Sequence, residues 1–139
     1  MTITGGFGAD VFRFQFGESS VAQLDQITDF TFGIDKIGLP LGIPSNFSRA
    51  ANSTAPTLTA LVNSVFADAN GAIAGAQALA INSAVLVRAT EGTIAGTYLV
   101  VNDETADFDP VNDLVIRLAG AIGPLPELGT INPTTVFAT

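Results

Sequence analysis

The chain has 139 residues, 13 of them acidic against 5 basic, for a formal net charge of −8. That surplus of carboxylates argues against nucleic acid and anionic membrane surfaces as partners, since both attract cations. With no Cys and no His, a disulfide framework, a thiolate metal site and the usual general base are all excluded, while 47% apolar residues suffice for the core of one domain over 1–139.

Met1 is followed by Thr and Gly rather than by basic and then apolar runs, so no export leader is read at this end. The first informative segment is Gly5-Gly6-Phe7-Gly8-Ala9-Asp10-Val11-Phe12-Arg13. It is one copy of the nine-residue pattern Gly-Gly-x-Gly-x-Asp-x-apolar-x, which builds a calcium-binding turn followed by a short strand of a parallel β-roll. Glycines reach backbone conformations that let carbonyls, here those of Gly5 and Phe7, point at an ion. Asp10 then supplies a hard carboxylate oxygen suited to Ca2+. One turn offers about half of the roughly 6–8 oxygens that Ca2+ takes.

Phe12, Phe14 and Phe16 alternate with Arg13 and Gln15, which predicts a half-buried strand over 11–16 with the phenylalanines in the core. Residues 24–30 and 36–41 read as two more strands, closing an N-terminal part over 1–41. Residues 42–56, rich in Ser, Asn, Ala and Pro, read as a loop. Leu58, Leu61, Val62, Val65 and Phe66 then recur at helical spacing, after Pro56 and before Gly71, predicting a helix over 57–70 with Gly71 as a left-handed cap. Residues 72–83 are Ala-rich and open to a second short helix around 75–81. Gln77, Asn82, Ser83 and Arg88 interrupt the most apolar stretch, 72–89, so no membrane insertion is expected. Strands are predicted over 84–88, 93–102 and 113–118, within a β-rich part over 84–139 that continues as a Gly/Pro loop with a strand fragment near its end. The expected fold is mainly β with one inserted helix, a β-roll-like N-terminal turn leading into a β-sandwich or short β-solenoid.

Two acidic segments share a spacing. Asp29-Phe30 is followed after four residues by Asp35, and Asp107-Phe108 after four residues by Asp113. Asp25 precedes the first; Asn102, Asp103 and Glu104 precede the second, which also holds Asp109 and Asn112. Two carboxylates facing each other across such a loop repel unless a cation lies between them, which points to calcium. The competing reading is turn chemistry, because Asp and Asn side chains bond to nearby backbone. Asp68-Ala69-Asn70-Gly71 is better read as a helix end than as a third ion site.

Gly5 to Arg13 resembles the nonapeptide of hemolysin-type (RTX) calcium-binding proteins. Asp25-x-Ile27-x-Asp29-Phe30-x-x-Gly33-x-Asp35-Lys36-Ile37-x-Leu39 looks like the segment that follows the last such repeats in proteins exported by type I secretion. Leu61-Val62 through Phe66, Asn70-Gly71, Gln77-Ala78-Leu79-Ala80 and Thr97-Tyr98-Leu99-Val100-Val101-Asn102-Asp103 up to Asp113 resemble the "bluetail" C-terminal domain of cyanobacterial surface proteins. The resemblance implies a calcium-binding C-terminal module of a secreted or cell-surface protein, with the type I secretion machinery as a partner and residues 132–139 as an uncleaved export signal. Asp10 carries over as the nonapeptide ligand, with the Gly5 and Phe7 carbonyls, and then Asp25, Asp29 and Asp35. The chain departs from the family in having one nonapeptide, and Gly38 where an Asp often stands.

The expected function is therefore non-catalytic: Ca2+ neutralises the Asp clusters and orders the N-terminal turns after export. The alternative is surface adhesion or self-association through sheet edges or the 42–56 loop, with calcium secondary. Catalysis by paired carboxylates is disfavoured, because the chain has no Trp, one Tyr and no Gly-x-Ser-x-Gly turn.

Overall fold

The computed structural model describes residues 1–103, 105, 107–110 and 112–138. In chain order the strands are β1 (Thr2–Ile3), β2 (Val11–Arg13), β3 (Asp25–Ile27), β4 (Lys36–Gly38) and β5 (Asn46–Arg49). Helix α1 (Leu58–Ala67) follows, then β6 (Ser83–Ala89), β7 (Gly96–Val101), β8 (Leu114–Leu118), β9 (Gly129–Thr130) and β10 (Phe137–Ala138). The protein is mostly β with one helix. Seven strands form a mixed sheet in the order β1-β3-β8-β7-β6-β5-β9, and β10-β4-β2 form a smaller parallel sheet. Among the described residues neither sheet is closed or curled.

The long strands form where apolar residues run without a break, because both faces of the large sheet are covered. On one face Leu86, Leu99 and Ile116 lie opposite one another across β6, β7 and β8, and share a core with Phe12, Ile37 and Phe137 of the small sheet. On the other, Val85, Val100 and Val115 line up in the same way and pack with Leu61, Val62 and Val65 of α1. Helix α1 begins where Thr57 accepts a hydrogen bond from the Ala60 amide (3.2 Å), and ends at Asp68.

Several expectations change. Residues 42–56 contain β5, which pairs parallel to β6 with Phe47 buried. No helix forms over 75–81. Gly71 is not left-handed; it lies so close to Ala51 that a Cβ would stand 2.5 Å from the Ala51 amide nitrogen, and this approach is what requires glycine. β2 ends at Arg13, leaving Phe16 half-buried beyond the strand. The C-terminal segment joins the core: Phe137 is buried, with its ring 5.1 Å from that of Phe47. Thr139, the last residue of the expected export signal, lies outside the described residues.

The N-terminal part is built as two parallel passes of chain. Thr2 pairs with Gln26, 24 residues on, in the large sheet. Val11 pairs with Lys36, 25 residues on, in the small sheet. This stacking places the turn at 5–10 against the turn at 29–35.

Candidate metal centre

The first turn is shaped by two left-handed glycines, Gly6 (φ 85°) and Gly8 (φ 91°). Its amides are held by the second turn: Gly5 and Gly6 donate to the two carboxylate oxygens of Asp29, at 2.9 and 2.8 Å. Those bonds hold the Asp29 carboxyl below its ordinary range. The Asp10 amide donates to Asp35 Oδ1 at 3.0 Å, and the Thr31 amide to Asp35 Oδ2 at 2.8 Å. Asp29 and Asp35 are thus turned to backbone amides of the stacked turns, and N–H donors supply the compensation that the spacing alone led one to expect from a cation.

Asp10 differs. Its Oδ2 is buried without a hydrogen-bond partner. It lies against Gly5, where a Cβ would stand 2.6 Å from that oxygen. The Phe7 side chain is fully exposed at the tip of the turn. Asp25 does not join this group. It opens β3, four residues before Asp29. There it is buried and accepts from the Met1 amino group at 2.8 Å.

The second acidic loop repeats the geometry of the first. The Asp103 amide donates to Asp113 Oδ1 at 2.9 Å, and the Asp109 amide to Asp113 Oδ2 at 2.6 Å. Asp35 and Asp113 thus hold equivalent places: each takes the amide four residues back on one oxygen and a more distant amide on the other. Each also donates its own amide to the carbonyl four residues back, at 2.9 Å. Burial pushes the Asp113 carboxyl up to about 6, against the lowering effect of the two amides, and nearby Asp103 raises it further. Asp103 accepts from the Thr105 amide and hydroxyl, and Asp109 from Asn112. Asp107 is exposed. A cavity of about 280 Å3 beside this loop is lined by Phe16, Leu41, Asp103 and Asn112. Glu104, expected to flank this loop, lies outside the described residues.

Among the described residues, no three acidic side chains converge closely enough to hold a metal. Of the expected site residues, Asp10, Asp29 and Asp35 lie in the stacked N-terminal turns and Asp103, Asp107, Asp109 and Asp113 in the second loop, while Asp25 stands apart. The sequence reading missed Thr31 as the amide facing Asp35. It also missed buried Ser19, which accepts from the Asp25 amide (2.8 Å) and donates to the Val115 carbonyl. The position four residues before the closing Asp of each loop was the available signal for Thr31; nothing in the sequence marked Ser19. Compared with known proteins, the chain matches no family model, no curated protein and no solved structure.

Proposed function

We propose that this chain is a non-catalytic calcium-binding module of a secreted or cell-surface protein, ordered by Ca2+ after export by the type I route. The observation that carries the reading is the buried, unpartnered Oδ2 of Asp10, held against a glycine in a turn stacked on Asp29 and Asp35, whose carboxylates already accept amides. A buried carboxylate oxygen with no donor is a standing penalty, and a hard cation removes it. Asp10 would hold an ion at the first turn. In the second loop, among the described residues, Asp103, Asp109 and Asp113 do not converge on one point and both oxygens of Asp113 already accept amides, so the calcium reading rests on the first turn. Asp25, Asp29 and Asp35 serve as acceptors that fix the turns. In the finer fold reading, the two passes 24 and 25 residues apart are the end of a β-roll. Calcium binding adds to folding stability, so Ca2+ should raise the thermal midpoint of the chelated protein. An unchanged midpoint would remove the reading.

A second reading is self-association with calcium secondary. It is favoured by the open outer edges of β1 and β2, which end the two sheets, and by exposed Phe7 and Val11 beside them. Sedimentation separates the two: oligomers that persist in chelator support association, and a monomer at all calcium levels excludes it.

A further inference from the structure

The core face of the large sheet ends in a row made of Arg88, Thr97 and Leu118, one residue from each of β6, β7 and β8. The next row, Leu86, Leu99 and Ile116, is fully covered. Leu118 is still buried, Thr97 is half-buried and Arg88 is exposed, so the covering layer stops at this row. Over it opens a cavity of about 540 Å3, also lined by Thr90, Leu125 and the backbone around Gly120. That size is ordinary for a small-molecule site, as is a mixed lining with a few fixed polar groups.

Among the described residues, Arg88 is the one charged residue lining the cavity. Three of the chain's five cations are held by backbone carbonyls: Arg49 by Pro126, Arg117 by Ala95 and Lys36 by Thr134. Among the described residues the Arg88 side chain makes no hydrogen bond, although its backbone carbonyl accepts from the Ser53 amide, and no carboxylate lies within 4.0 Å of the guanidinium. Among the described residues no acid lines this cavity, although Glu91 directly follows Thr90 in the chain. A guanidinium in this state presents a planar fork of donors that matches a carboxylate.

We propose that this cavity binds a small carboxylate with a short apolar body. The Arg88 guanidinium takes the carboxylate, the Thr97 hydroxyl adds a polar edge, and Leu118 and Leu125 receive the apolar part, while the Thr90 hydroxyl is already donated to the Ser53 carbonyl. The site adjoins both acidic segments, since Leu118 lies five residues after Asp113 and Ile122 exchanges backbone hydrogen bonds with Phe30 and Phe32, so it is tested with calcium removed.

The test is a titration of the 15N-labelled protein in chelator with 4-methylpentanoate and, separately, with its neutral amide. The expected result is saturable shifts at Thr90, Gly96, Thr97 and Ala121 with the acid, and binding weaker by roughly tenfold or more for the amide, since a charge-assisted hydrogen bond is lost. Arg88→Ala should weaken the acid to the same extent, and Arg88→Lys should restore part of it. Absence of saturable shifts, equal binding of the amide, or an unchanged Arg88→Ala would overturn the proposal. If Arg88→Ala does not fold, as read from its own spectrum, the acid and amide comparison on the unaltered protein decides alone.

Discussion

Asp10 and Asp35 stand in the same local pattern, Gly-x-Asp-x-apolar, 25 residues apart, yet their carboxylates have different surroundings. Both oxygens of Asp35 accept amides, while Oδ2 of Asp10 is buried without a partner. Removing Asp35 leaves the Asp10 and Thr31 amides without their acceptor. Asp35→Ala should therefore lower unfolding free energy by about 2–4 kcal/mol, read by urea denaturation in chelator. Asp10→Asn should leave stability unchanged or raise it under the same conditions, because it removes a buried charge that no N–H compensates. The pH dependence follows from Asp113 and Asp29. Folding raises the Asp113 carboxyl to about 6, so the folded state holds that proton more tightly than the unfolded chain. In chelator, stability should then rise as pH falls from about 6 towards about 4. The Asp29 carboxyl is lowered by the Gly5 and Gly6 amides, so its contribution is present above about 4 and is lost as pH falls through its folded value. Melts between pH 7 and 3 should show a maximum on the acid side of neutrality, and Asp113→Asn should flatten its upper limb. A midpoint that falls steadily from pH 7 would contradict this.

The elements that could be read in the sequence are those whose burial is periodic or unbroken. Leu61, Val62 and Val65 marked the face of α1 because one side of that helix meets the sheet. β6, β7 and β8 stood out as apolar runs because both their faces are covered. β5 was missed because Asn46-Phe47-Ser48-Arg49 buries one large side chain, and its place is set by pairing with β6 and β9. β1 and β10, at two residues each, exist only through parallel partners far along the chain. Gly71 was recognised as important but for the wrong reason, since its contact with Ala51 is tertiary and no local signal encodes it. Gly71→Ala must displace the Ala50–Ala51 backbone and should cost about 1–3 kcal/mol. A cap-type left-handed glycine would also resist Ala, so the discriminating variant is Gly71→Asn. Asn tolerates the left-handed region, and here it should be at least as harmful as Ala.

Across the whole molecule, the positions of the acids were legible and their roles were not. The spacing of Asp29 with Asp35, and of Asp107 with Asp113, announced two related loops. What it could not convey is that Asp35 and Asp113 are amide acceptors, since the amides they serve include ones 25 and 10 residues away. The acid excess is thereby divided. Part of it stitches the stacked turns and the 102–113 loop together. What remains for a cation is Asp10. The same division explains why the fold does not require an ion to explain every carboxylate, and it confines the ordering proposed for calcium to the first turn. One measurement bears on this most directly: thermal unfolding of the unaltered protein and of Asp10→Asn, each in excess chelator and in excess Ca2+. At a hundredfold excess over Kd, binding adds about 2.7 kcal/mol, so the midpoint of the unaltered protein should rise by roughly 10 °C, and the rise should shrink in Asp10→Asn. Equal midpoints with and without Ca2+ would contradict the account.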